Sequence, residues 1–220
     1  MRIYLASARI DDIRWATKRR LIDGVLTTHA LIAEQAPGSE YDLLVEICRV
    51  AAGPVLVTAH ALTAADVYRD ARALAKISDQ ITVQIPFLED VVEAIHRLSA
   101  DGVRVAATLI FSAAQALLAA RAGAAGVVVP VDDLDGAGHD ASAVLRELRA
   151  VFDASGAEAD VVALRPTNAA QFAACAAAAV DGIAVSTEVL RALLVHPLTD
   201  RGLDQFLYDL STQHASWSLV

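Results

Sequence analysis

Lysine is nearly absent from this chain: Lys18 and Lys76 stand against sixteen arginines in 220 residues. Side-chain primary amines are therefore confined to two positions, both within helical patterns. Aromatic residues make up only 5% of the chain, while hydrophobic residues make up 55%, mostly alanine and valine. A core of small aliphatic side chains is the habit of parallel α/β proteins. No apolar run approaches the roughly 18 residues that would span a bilayer. The opening "MRIYLASARIDDIRW" reads as a strand followed by charges rather than a secretory leader. A soluble, cytoplasmic protein is expected. The net charge is -9 and the only basic cluster is "TKRR" at 17–20, which argues against a nucleic-acid partner. Cysteine is scarce too. Cys48 and Cys175 lie inside helical patterns and read as small buried residues of a reducing compartment.

What is there is a repeat of strand and helix. Short apolar runs occupy Arg2–Ser7, Gly24–Thr28, Val55–His60, Ile81–Ile85, Val103–Ile110, Gly126–Val131, Asp160–Arg165 and Gly182–Ser186. Between them lie helical patterns such as Thr63–Ile77, Leu88–Ala100 and Asp140–Ala154, several with apolar residues at i, i+3, i+4 spacing. Thr63 and Asp140 stand where N-caps belong. Eight such units in about 200 residues predict an α/β fold, a (β/α)8 TIM barrel spanning 1–220 as one domain. An open doubly wound sheet is the runner-up, but no glycine-rich fingerprint follows the first strand. The chain ends in one more amphipathic helix, Thr199–Trp217 (core about 200–216), with no strand after it. It must dock on the barrel or on another subunit.

Barrels of this kind place chemistry at the C-terminal ends of their strands and in the loops beyond. That rule selects Ser7, Thr28, His29, Thr58, His60, Gln84, Thr108, Asp132, Asp133, Arg165 and Ser186. Thr58 and His60 share strand parity, so both are expected to point inward from the third strand. The same parity brings His60 toward Gln84, with His29 on its other side. Arg165, Thr167 and Ser186 suit an anion contact after strands seven and eight, or Arg165 forms an ion pair with Asp132 or Asp133; both readings stay open. "DDLDGAGHD" (Asp132–Asp140) carries four aspartates and a histidine in nine residues. Its spacing fits no metal motif, and neither metal nor cofactor is expected. His96, His139, His196 and His214 read as structural or solvent-facing.

Three stretches carry a family resemblance. "HPLTDRGLDQFLYDL" (His196–Leu210) resembles the closing segment of the small transaldolase and fructose-6-phosphate aldolase family. "FSAAQALLAARAGAAGVVVP" (Phe111–Pro130) resembles its fifth helix and sixth strand. "MRIYLAS" and "IDGVLTTHALIAE" fall where its first two strands do. The resemblance covers nearly the whole chain. It implies a (β/α)8 barrel assembled into rings through the last helix, and an active-site lysine on the fourth strand that forms a Schiff base with a ketose.

Gln84, in "TVQIP", stands at that lysine's position. Ala6 replaces an aspartate, His29 follows Thr28 where the family has asparagine, Thr58 replaces a glutamate or glutamine, and Asp133 takes the place of a phosphate-binding arginine. Thr108 and Gln115 are retained. A carboxamide is neither nucleophilic nor titratable, so Schiff-base chemistry is not expected.

The expectation is a transaldolase-like enzyme with a remodelled site. It acts on a small carbonyl metabolite (a sugar, sugar phosphate or keto acid) in a specialised biosynthetic pathway, by non-covalent acid/base or carbon–carbon bond chemistry. His60 and His29 are its acid and base, Gln84 and Thr108 its oxygen-binding groups, and Arg165 its anion anchor. Thr28, Thr58, Asp132, Asp133 and Ser186 complete the substrate contacts. The alternatives are a non-catalytic binding protein on the same scaffold, or a metal-assisted aldolase or lyase using Asp132–Asp140.

Overall fold

The structure is a computed structural model in which residues 1–35, 38–61 and 63–213 are described. Eight parallel strands close on themselves in sequence order: β1 (Arg2–Ala6), β2 (Gly24–Leu26), β3 (Val55–Thr58), β4 (Ile81–Pro86), β5 (Val105–Thr108), β6 (Gly126–Pro130), β7 (Asp160–Leu164) and β8 (Gly182–Val185). β8 pairs back onto β1, with Leu5 opposite Val185. Around them run α1 (Ile10–Lys18), α2 (His29–Gln35), α3 (Glu40–Val50), α4 (Ala64–Ala75), α5 (Val92–Ala100), α6 (Ala113–Arg121), α7 (Val131–Gly136), α8 (Ala141–Ser155), α9 (Ala169–Ala177), α10 (Thr187–Ala192) and α11 (Pro197–Gln213). This is the expected (β/α)8 barrel with an added C-terminal helix. No helix among the described residues is long and apolar enough to cross a membrane.

Alternation along each strand makes two cores. Tyr4, Leu26, Leu56, Ala106, Val128, Val162, Leu164 and Ala184 fill the barrel interior. Residues of the opposite parity, such as Leu5, Val57, Val83, Ile85, Val127 and Val185, pack under the helices. Strands buried on both faces read as continuous apolar runs, so they were legible without alternation. Tyr4 closes the N-terminal end of the interior because its neighbours lack side chains. A Cβ on Gly182 would lie 2.7 Å from its ring, and one on Gly24 would lie 2.8 Å away.

Local chemistry sets the helix starts. Ser39, Thr63, Ser112, Asp140, Asn168 and Ser186 each accept a hydrogen bond from the backbone N–H three residues on, satisfying a first-turn donor. Gly156 ends α8 in the left-handed region at φ 67°. Seven of the strands are one to four residues shorter than the apolar runs, while β4 reaches one residue further, to Pro86. β5 is the clearest case: Val103 N–H bonds Leu98 O in the preceding turn, and Leu109 ends the ladder at φ 59°.

α11 stands apart from its own barrel. Leu198, Leu203, Phe206, Leu207 and Leu210 are all exposed along it. It begins two residues before the predicted start. The predicted end, at 216–217, lies outside the described residues, as does His214.

Candidate active site

The C-terminal ends of β2, β3 and β4 hold a connected set of polar groups. In register, Thr58 faces Gln84 and Gln84 faces Ala106. Gln84 is 1% exposed, in the barrel mouth. Its Nε2 donates to Thr27 O at 3.0 Å and to Thr58 Oγ1 at 3.4 Å, while Thr58 Oγ1 donates to Thr27 O at 3.4 Å. A backbone carbonyl only accepts, so the amide's orientation is fixed and both its hydrogens are donated to the protein. The Thr27 carbonyl at the end of β2 receives side-chain donors where the ladder supplies none. Gln84 therefore serves a backbone group, and it shows an acceptor, Oε1, rather than the donor expected for a developing oxyanion. Thr108 is 8% exposed, and its hydroxyl has no protein partner among the described residues.

His29 and His60 lie together, with ring centroids 3.9 Å apart and planes tilted by 57°. His29 opens α2, whose first turn is capped by Thr28: Leu31 N–H donates to Thr28 Oγ1 at 3.4 Å. His29 Nε2 bonds Ala59 O at 3.2 Å. His60 Nε2 bonds Glu40 Oε1 at 2.8 Å, and its backbone N–H donates to Asp70 Oδ2 at 2.6 Å. β3 ends at Thr58, so strand alternation does not govern His60. Its side chain is 44% exposed and turned to the first residue of α3. The structure joins Gln84 to Thr58 rather than to His60. Glu40 was missed by sequence reasoning, because it lies twenty residues away on another helix with no local signal.

The opposite side of the mouth carries charge. Arg165 sits just past β7 with φ 60°, a left-handed conformation that costs a non-glycine residue on the order of 1 kcal/mol. Its Nε donates to Asp132 Oδ2 at 2.7 Å and its Nη2 to Asp133 Oδ2 at 2.9 Å. Burial opposes the guanidinium charge, but the bond to Asp132 and the fields of both aspartates outweigh it and raise its pKa. The ion-pair arrangement weighed for Arg165 is the one present. Asp132 and Asp133 belong to α7 rather than to a loop. Asp135 accepts from Ala141 N–H and from Gln171 Nε2, and Asp140 caps α8. Among the described residues no group of three or more His, Cys, Asp or Glu side chains is arranged to hold a metal ion. Ser186 caps α10 and accepts from Val189 N–H at 3.2 Å. Ser7 Oγ accepts from Arg9 N–H and is buried beneath the same rim.

Lys18 and Lys76 are both exposed, one ending α1 and the other capping α4 at its C-terminus. Lys76 lies beside Ile81 and Val103, at the N-terminal end of the barrel and away from the mouth.

Comparison with known proteins bears on this arrangement. The transaldolase/fructose-6-phosphate aldolase family description matches residues 3–219. A probable transaldolase of Heliobacterium modesticaldum is 39% identical over 209 residues, covering 95% of this chain and 97% of that protein. Probable transaldolases of Methanococcus maripaludis, at 35% over 209 residues, and Bartonella quintana, at 37% over 211, cover 95% of this chain and 97% and 96% of their own. With eight parallel strands in a closed ring and this likeness along nearly its full length, the chain belongs to the transaldolase/fructose-6-phosphate aldolase family.

Proposed function

We propose that this protein is a transaldolase-like enzyme that handles a small carbonyl metabolite by non-covalent proton transfer coupled to carbon–carbon bond chemistry. The observation that carries the reading is Gln84, buried in the mouth at the position where the family resemblance expects the imine-forming lysine. An amide nitrogen delocalised into its carbonyl does not attack a ketone. Both lysines are exposed at helix C-terminal ends, which supports the same reading. The paired imidazoles of His29 and His60 supply base and acid. Thr108 and Gln84 contact substrate oxygens, with Thr28 and Thr58 beside them. Asp132, Asp133, Arg165 and Ser186 form the far wall of the substrate site.

The test is reductive trapping. Borohydride added with fructose 6-phosphate, or with dihydroxyacetone, should leave the protein mass unchanged. A reduced adduct on Lys18 or Lys76 overturns the proposal. Once a substrate is in hand, His60→Ala should remove turnover. If no substrate is turned over but a metabolite still binds, the non-catalytic reading is favoured, and the occupied Arg165 guanidinium is the observation on its side.

Assembly into a homo-oligomer through α11 belongs to the same proposal. Four exposed leucines and Phe206 on one helix form an apolar face larger than a lone surface residue explains. Sedimentation should show an oligomer that Phe206→Glu disperses.

A further inference from the structure

Barrels of this architecture commonly hold anions at the loops after strands seven and eight, where backbone N–H groups and basic side chains supply donors. Here the chain has used those donors on itself. After β7, Arg165 gives its Nε–H to Asp132 and an Nη2–H to Asp133. Two residues on, the Thr167 backbone N–H and hydroxyl both donate to Gln171 Oε1, and Gln171 Nε2 donates to Asp135. After β8, Glu188 lies in the first turn of α10. Its carboxylate is bonded by its own backbone N–H and by the Ser186 hydroxyl, and both lower its pKa. The arginines whose field reaches Glu188 are Arg9 and Arg191, and these are taken as well. Arg9 Nε lies 3.5 Å from Asp12 Oδ2. Arg191 lies over the Trp15 ring at 4.0 Å, with Nη2 4.0 Å from Asp12 Oδ1.

Along this arc Asp12, Asp132, Asp133, Asp135 and Glu188 stand against Arg9, Arg165 and Arg191, so carboxylates outnumber guanidinium groups by five to three. Asp132 holds the arrangement shut. Its Oδ2 accepts from Arg165, while its Oδ1 is buried with no partner among the described residues. An external anion that drew Arg165 away would leave a largely buried carboxylate unpaired, which is costly.

We propose that the β6–β8 rim excludes anionic groups, so that the substrate carries neither phosphate nor carboxylate, with Asp132, Asp133 and Glu188 as the specificity-determining residues. This rests on the enzyme reading above and narrows its substrate to an uncharged carbonyl compound. The chain's own carboxylates stand where a ligand's anion would have to meet Arg165, and like charges brought together at close range are penalised. Replacing them by amides of the same shape removes the repulsion and frees the guanidinium.

The experiment follows the Arg165 Nε–H resonance of the full-length protein by NMR while inorganic phosphate is titrated against chloride of equal ionic strength. In wild type the two salts should act alike. In Asp132→Asn/Asp133→Asn the resonance should follow phosphate alone and saturate, with an affinity at least about tenfold above wild type. Asp133→Asn alone changes a half-exposed side chain and keeps Asp132 in place, so it should fold even if the double variant does not, and should give a smaller gain. Adding Glu188→Gln to the pair should raise the affinity for dihydroxyacetone phosphate at least about tenfold, and change that for dihydroxyacetone by less than about twofold. A phosphate-specific response in wild type, or variants that gain neither phosphate nor its ester, overturns the exclusion. Those results leave acid/base chemistry at the histidines standing. A reduced adduct on Lys18 or Lys76 would sink that chemistry and leave the phosphate titration unchanged.

Discussion

Replacing Gln84 by glutamate puts the fixed amide geometry to a quantitative test. The side chain is 1% exposed, and its nitrogen lies 3.0 Å from the Thr27 carbonyl. In the Gln84→Glu variant a protonated carboxyl can still donate one hydrogen to that carbonyl. An ionised one sets a desolvated carboxylate against an oxygen it cannot bond. Burial and the missing donor both disfavour the charged form, so the folded-state pKa rises above the unfolded value of about 4.3. A carboxyl with a raised folded pKa has its full stability below the unfolded pKa and loses it as pH rises. The loss accrues at about 1.4 kcal/mol per pH unit, and reaches about 3–4 kcal/mol at pH 7 if the folded group stays protonated that far. For a chain of this size that is a fall in Tm of roughly 6–15 °C. Thermal unfolding of Gln84→Glu and wild type, followed by circular dichroism from pH 4.5 to 8, should show a gap that widens with pH. A constant or narrowing gap would refute the reasoning, because a carboxyl buried against the Thr27 carbonyl must become costlier to ionise as pH rises.

Gly182→Ala drives a Cβ to 2.7 Å from the Tyr4 ring, and overpacking of this kind should cost about 1–3 kcal/mol in urea unfolding, with Tyr4→Leu relieving part of the loss. Neither cysteine should react with Ellman's reagent in the folded protein at pH 8, because burial raises both thiols, Cys175 to about 11 with help from the field of Asp135; full labelling should appear only on unfolding. Inorganic phosphate should raise the Tm of the Asp132→Asn/Asp133→Asn double variant and not that of wild type, since the two carboxylates hold the Arg165 guanidinium that would otherwise meet the anion; an equal response would mean that Arg165 is not engaged by them in solution.

The barrel was legible because its cause is local. A strand buried on both faces must be apolar at every position, and the helix after it must show a 3.6 period, so eight repetitions leave few other folds. The N-caps at Thr63 and Asp140 were legible for the same reason: donor and acceptor are three residues apart. The site was harder because its contacts span the chain. Parity carried the reading of Thr58, which faces Gln84 in register, and failed at His60, two residues beyond the end of β3, where a carboxylate from α3 decides the ring's direction. Arg165 allowed an anion site or an ion pair on sequence grounds. Only the placement of α7, which carries Asp132 and Asp133 up to β7, separates the two. Gln84 shows the limit most sharply. The sequence identifies the amide and the strand it occupies, but not which end of the amide faces inward. That end is chosen by the Thr27 carbonyl, 57 residues away, and it turns an expected donor into an acceptor. The same logic covers the two imidazoles. What Gln84, His29 and His60 can bind is therefore set less by their residue types than by the protein acceptors they already face.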